Sequence, residues 1–352
     1  MNPRFYFATC QAGAEKAVKA EVLAERPELR FAFSRPGFVT FKEPEAEGPA
    51  LELRRGVFTR LWGEVLGQTR DRTAFPDLIR MIPEGALTQA FDRDEYIPGD
   101  EPEGFVRNAH IAKILSEEAA AIGSRAIPSS EPPVLGTKVI SLIWVDDFHV
   151  FVGRHTLAPR QLAAAGNLFA TGLPAHAHAP SRAWLKLEEA VARFGTPHER
   201  GWKALEIGSA PGGATTALLD RGFTVTGIDP QFMDARVTAR PEFTHIRKPA
   251  RFATADELKG CNPDWLVMDM SIAPTDALGE LIHVVTILRG LFGKELKIRK
   301  AFLTIKLNDW KYAAEIPSYL KRLDQAGFQD LKAIQLASNR QEFFVYAGGF
   351  RA

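Results

Sequence analysis

The sequence predicts an α/β chain: an N-terminal half of α+β character and a C-terminal half built as a doubly wound sheet of Rossmann type. Three observations predict it. Four runs after residue 181, at 204–207, 224–228, 265–268 and 301–305, are apolar on both faces, as strands buried between helices are. Helical patterns at 214–221, 276–291 and 313–326 lie between or after them. A glycine-bearing loop leaves the first strand, and Asp229 ends the second.

In chain order, aromatic-rich residues 5–9 read as a strand and 13–26 as a helix with Ala17, Val18, Val22 and Leu23 on one face. Strands at 29–33 and 37–41 flank the turn Arg35-Pro36-Gly37, and 61–66 is another, so residues 1–68 form a small α+β unit. Residues 69–155 form a second one. It has a short helix at 76–81, a strand at 87–91, a loop at 92–103, a helix at 108–122 and strands at 138–145 and 148–153. Residues 156–180, rich in Ala, Gly, Pro and His, read as a linker, and 181–352 as the last domain. His176 and His178 lie in that linker with no third ligand, so no metal is expected.

Hydrophobic residues at 45% and charged residues at 25% exclude a disordered chain. The formal net charge of +1 does not announce a nucleic-acid partner, so any basic surface must be local. Candidate phosphate contacts are Arg54, Arg55 and Arg60 early, and Lys294, Lys297, Arg299 and Lys300 late. Two distant cysteines, Cys10 and Cys261, form no disulfide framework, which fits a reducing cytosol. Neither a signal peptide nor an apolar run of membrane-spanning length is visible, so a soluble cytoplasmic protein is expected.

The loop Gly208-Ser209-Ala210-Pro211-Gly212-Gly213 lies between strand and helix. Its spacing is not the G-x-G-x-x-G of a dinucleotide site, which argues against an NAD oxidoreductase. A glycine bend, backbone polar groups and a carboxylate at Asp229 for ribose hydroxyls suit a nucleoside with a methionine tail. Asp269 follows the strand 265–268 and Lys306 ends the next one, at the sheet edge where ligands bind. Lys186 falls in the early turns of a helix with Ser181 as its expected N-cap, and Glu342 begins the last strand.

The stretch Pro180-Ser181-Arg182 through Leu185-Lys186-Leu187-Glu188-Glu189-Ala190, the 208–213 loop, Asp269 to Pro274, Lys306-Leu307 and Arg340-Gln341-Glu342 together resemble the FtsJ-type ribose 2′-O-methyltransferases. The closest likeness is to the THUMP-bearing branch that methylates a cytidine of 23S ribosomal RNA, and Gly13-Ala14-Glu15-Lys16 resembles that branch's start. The resemblance implies a ferredoxin-like domain at 1–68, a THUMP-like RNA-binding domain at 69–155 and a methyltransferase domain at 181–352. It implies a catalytic tetrad of Lys186, Asp269, Lys306 and Glu342. It also implies an S-adenosylmethionine site formed by Glu206, the 208–213 loop, Asp229 and Asp269. The partner is then RNA, with no DNA and no membrane, and the chain a monomer. Lys306, if neutral, would take the hydroxyl proton, with Asp269 and Glu342 orienting the lysines. Two departures stand out: Glu206 replaces an aspartate, and Pro249 falls where the family carries an adenine-contacting aspartate, leaving Asp256 as the nearest substitute. Two other readings compete: a same-fold methyltransferase acting on a small molecule or protein, and a non-catalytic RNA-binding protein that retains the cofactor.

Overall fold

Two units divide the chain, Met1–Gly172 and Leu173–Ala352. The computed structural model describes residues 3–53, 56–71, 74–84, 86–93, 117, 125–126, 136–146, 149–157 and 179–352. The helix expected at 108–122, apart from Glu117, lies outside the described residues, as do His176, His178, Arg54, Arg55 and most of the linker.

In the first unit the order is β1 (Arg4–Thr9), α1 (Glu15–Glu25), β2 (Arg30–Arg35), β3 (Phe38–Glu43), β4 (Leu61–Thr69), α2 (Phe75–Arg80), β5 (Leu87–Asp92), β6 (Arg125–Ala126), β7 (Lys138–Asp146) and β8 (His149–Thr156). All eight strands join one sheet, β2-β3-β1-β4-β8-β7-β5-β6. Strand β4 is the seam: it pairs antiparallel with β1 on one side and with β8 on the other. One sheet therefore runs through both stretches expected at 1–68 and 69–155. Helix α1 buries Val18 and Val22. Its Glu21 accepts the backbone N–H groups of Val57 and Thr59 at 2.8 Å, anchoring the chain that enters β4.

The second unit runs α3 (Ala183–Phe194), β9 (Lys203–Ile207), α4 (Gly213–Asp220), β10 (Thr224–Ile228), α5 (Ala235–Thr238), β11 (Phe243–Ile246), α6 (Ala255–Leu258), β12 (Trp265–Met270), α7 (Pro274–Phe292), β13 (Lys300–Lys306), α8 (Ile316–Gln325), β14 (Phe328–Gln329), β15 (Lys332–Ile334), β16 (Glu342–Ala347) and β17 (Gly349–Phe350). Seven strands form a sheet in the order β11-β10-β9-β12-β13-β16-β15, and β14 pairs with β17. Strands β9 to β13 are parallel, whereas β16 returns antiparallel beside β13. The strand order reverses between β9 and β12, the crevice where an open α/β sheet receives its ligand. The core is aromatic: fully buried Trp265 lies 4.7 Å, ring to ring, from both Phe223 and Phe302. Burying a large side chain contributes roughly 1.5–3 kcal/mol, so these rings fix β12 and β13 side by side.

Helix α3 begins one residue later than its expected cap. Arg182 occupies the N-cap, and the Ser181 hydroxyl accepts the N–H of Ala183 at 3.4 Å. Gly195, at φ +55°, ends the helix in the left-handed conformation.

Candidate active site

The loop after β9 depends on its glycines. Gly208 sits at φ +82°, and a Cβ there would lie 2.4 Å from the carbonyl oxygen of Asp269. Only glycine lets β9 and the end of β12 pass so closely. Gly213 serves packing instead: a Cβ would lie 2.2 Å from Ser181 Oγ and 2.9 Å from the Trp184 nitrogen. Its absence lets α4 seat against the start of α3, the helix that carries Lys186.

Asp229, at the end of β10, ties the loop down. Its carboxylate accepts the N–H of Ala210 at 3.1 Å and of Gln231 at 2.7 Å. Ser209 is buried and its hydroxyl reaches Met233 Sδ at 3.5 Å. Ala210, Pro211 and Gly212 form the turn into α4, with Gly212 at φ +115° over Val237. Glu206 lies beneath, 1% exposed, accepting a 2.6 Å hydrogen bond from Thr215. Burial pushes its carboxyl up to about 8, against that hydrogen bond, with Asp269 and Asp229 adding to the rise.

Four charged residues meet beside Gly208. Lys186 Nζ lies 2.9 Å from Asp269 Oδ2 and 2.7 Å from Glu342 Oε1. Lys306 Nζ lies 3.0 Å from Glu342 Oε2. The ladder explains the placement: Lys306 stands directly opposite Glu342 in the β13–β16 pair, and Asp269 is in register with Thr304. The result is a chain of alternating sign, Asp269–Lys186–Glu342–Lys306. Of the two carboxylates expected to orient the lysines, Glu342 is the one that Lys306 pairs with, and the Lys306 charge also acts on Asp269.

Electrostatics separates the members. Burial works to lower Lys186, but Asp269 and Glu342 outweigh it and raise the ammonium above the ordinary lysine value. Burial would lift Glu342, yet Lys186 and Lys306 hold its carboxyl down at about 2. Burial pushes Asp269 up, opposed by Lys186. The side chain of Lys306 is the most accessible, at 31% against 11% for Lys186.

Two residues that sequence reasoning missed hold this chain. Asn339, fully buried, donates from Nδ2 to Glu342 Oε1 at 3.1 Å. Glu189, one turn beyond Lys186, accepts the N–H groups of Ala337 and Ser338 and the Ser338 hydroxyl at 2.8–2.9 Å. It thus fastens α3 to the segment that leads into Glu342. Its i, i+4 pairing with Arg193 reads in sequence as an ordinary helix pair, which hides the second role.

Other expected residues lie elsewhere. Asp256 starts α6 with its side chain 95% exposed and 3.8 Å from Lys259, not at the glycine loop. Arg60 is buried, so it is no surface phosphate contact. Lys294, Lys297, Arg299 and Lys300 precede or open β13, whereas Lys306 closes it. At about 3.3 Å per residue the strand separates that basic cluster from the four-residue chain by roughly 20 Å. Arg299 pairs with Asp264 at 3.1 Å, and Lys300 donates to the Gly348 carbonyl at 2.8 Å. Among the described residues no group of three or more His, Cys, Asp or Glu could hold a metal ion, and no helix is long and apolar enough to cross a membrane.

A doubly wound sheet with a glycine cradle at its switch point and an acid on the neighbouring strand is the frame of a nucleoside-cofactor transferase, and residues 179–348 match the FtsJ-like methyltransferase family model. Ribosomal RNA large subunit methyltransferase M of Halorhodospira halophila is 30% identical, over 96% of this chain and 95% of that protein. The proteins of the same name from Tolumonas auensis and Azoarcus sp. are 27% and 26% identical over 98% and 96% of this chain, and 96% and 94% of theirs. The chain belongs to the ribosomal RNA large subunit methyltransferase M family, and it is a methyltransferase.

Proposed function

We propose that this chain methylates a ribose 2′-hydroxyl of RNA, with 23S ribosomal RNA as substrate and S-adenosylmethionine as methyl donor. The observation that carries the reading is the chain Asp269–Lys186–Glu342–Lys306 at the ligand-binding edge, beside Gly208. The names of the relatives support ribosomal RNA as the substrate.

The residues present fit the cofactor. A Cβ would fill the cradle at Gly208, and Asp229 ends β10 where a ribose diol is accepted in such folds. Gly208 to Gly213, Asp229 and Asp269 would hold it, with Glu206 supporting the loop from below. When bound, S-adenosylmethionine supplies an electrophilic methyl group.

The protein's own work is to align a hydroxyl and remove its proton. Lys186, held charged between two carboxylates, is unsuited as a base and serves to orient and to balance charge. Lys306 has one carboxylate partner and the most open side chain, so its amine, once neutral, accepts the 2′-hydroxyl proton. Glu342 steers both lysines, one on each oxygen. The reaction requires RNA because DNA lacks the hydroxyl.

Mapping 2′-O-methylation across ribosomal RNA, from cells with and without the gene, tests the proposal. One site that disappears with the gene and returns on incubation with purified protein and S-adenosylmethionine is the expected outcome. An unchanged map rejects it.

A further inference from the structure

In the first unit, one face of the sheet is paved with aromatic rings. Residues directly opposed across antiparallel strands share a face, and Phe5 opposes Lys42, while Phe7 and Phe33 both oppose Thr40. Two glycines make room for the buried Phe7 ring: a Cβ on Gly63 or Gly153 would lie 2.7 or 2.3 Å from that ring. Beside it opens a cleft of about 600 Å³ lined in part by Phe5, Phe33, Val65, Gln68, Arg70 and His149. Phe5 is 37% exposed, so one face of its ring is open to a ligand in the cleft.

Cations border the rings. Lys42 Nζ lies 6.0 Å from the Phe5 centroid, and the Arg70 guanidinium 5.9 Å from that of Phe33. Neither has a carboxylate partner among the described residues, whereas Arg35, also over Phe33, pairs with Asp146 at 3.6 Å. The acid lining the cleft, Glu64, is matched by Arg4 at 3.5 Å and Arg154 at 2.6 Å. An exposed ring, with a half-buried one beside it and cations that have no carboxylate partner among the described residues, selects a ligand that is flat and apolar on its faces and anionic along its length.

We propose that this cleft binds single-stranded RNA, a base stacked on Phe5 beside the wall that Phe33 helps to form and its phosphates held by Lys42 and Arg70. The inference rests on the reading of the substrate as RNA and adds a second point of attachment, on the first unit. A duplex keeps its base faces stacked inside and cannot present them to the rings. A peptide would leave the two cations unmatched unless it were acidic.

Fluorescence anisotropy of the full chain with a labelled eight-nucleotide oligouridylate, and with a duplex of equal length, tests this. Lys42→Glu and Arg70→Glu should each weaken single-strand binding about tenfold or more and lower the salt slope by about 0.7. Phe5→Ala should weaken it roughly fivefold or more with the salt slope unchanged, and Phe5→Trp should retain it. Thermal melting of each variant confirms that the fold is kept. Unchanged single-strand affinity in all three loss variants overturns the inference, as does an equal loss on the duplex. Should the wild type methylate RNA while these variants bind and methylate it normally, the cleft fails and the proposed activity stands. A wild type that binds the oligonucleotide through the cleft but methylates no RNA sinks the activity alone.

Discussion

At Lys306 the expected chemistry is narrow enough to test with two substitutions. General-base catalysis is typically worth about 10²–10⁴ in rate, so Lys306→Ala should lower single-turnover methyl transfer by about that factor. S-adenosylmethionine affinity should hardly change, because the cradle at Gly208 is untouched. Lys306→Arg keeps the pairing with Glu342 but cannot release its proton, so it should not rescue the rate. An arginine variant of near-normal rate would reduce the position to a charge. Glu206 makes a different residue-scale prediction. Burial raises its carboxyl to about 8 in the folded chain, while the unfolded chain ionises near 4.5. Between those values folding takes up a proton, so this residue's contribution to stability declines as pH rises through the window and is level above it. Glu206→Gln removes the titration. Its melting temperature should approach the wild type's near pH 5 and exceed it most above pH 8. A difference independent of pH would mean that the carboxyl does not titrate in that window.

Among the elements, the Glu189 anchor joins two pieces of chain nearly 150 positions apart, the separation being 148 for Ala337 and 149 for Ser338. Removing one partner of a buried ion pair typically costs about 3–5 kcal/mol, so Glu189→Ala should melt well below the wild type. Glu189→Gln keeps an acceptor for the backbone N–H groups, so it should melt higher than the alanine variant and restore part of the methyl-transfer rate. Equal rates in both variants would show that the anchor does not position Glu342. Such long-range ties were not legible in the sequence. The parallel strands were, because burial on both faces makes them uniformly apolar: β9, β10, β12 and β13 each lie within two residues of their expected bounds. So were Asp269, Lys306 and Glu342, which are charged residues at the ends of apolar strands, whereas Lys186, on a helix, was singled out by the family resemblance. Edge strands such as β11 escaped notice because they are half exposed and lack a continuous apolar run. The helix expected at 313–326 starts as α8 only at Ile316, after a 3₁₀ turn at Trp310–Glu315. Pro317 accounts for this, since proline suits the first turn of a helix and disfavours helical residues before it.

At the scale of the molecule, the cradle, the four-residue chain and the complete seven-stranded sheet all come from residues after 180. The hydrophobic cluster around Trp184, Trp265 and Phe344 is likewise drawn wholly from the second unit. A fragment covering 173–352 should therefore fold and bind S-adenosylmethionine with nearly the affinity of the full chain. What it lacks is the sheet that carries Phe5, Lys42 and Arg70. The late basic cluster cannot substitute, because it sits at the far end of β13 and two of its members are already engaged. Each single-strand phosphate left without its cation lowers the salt slope by about 0.7, so the fragment's RNA binding should be weaker and less salt-dependent. Calorimetry with S-adenosylmethionine and single-turnover methylation of ribosomal RNA separate the two properties. Retained cofactor binding with at least a tenfold loss on RNA is the expected pair of results. A fragment that methylates RNA as well as the full chain would remove the first unit from substrate recognition.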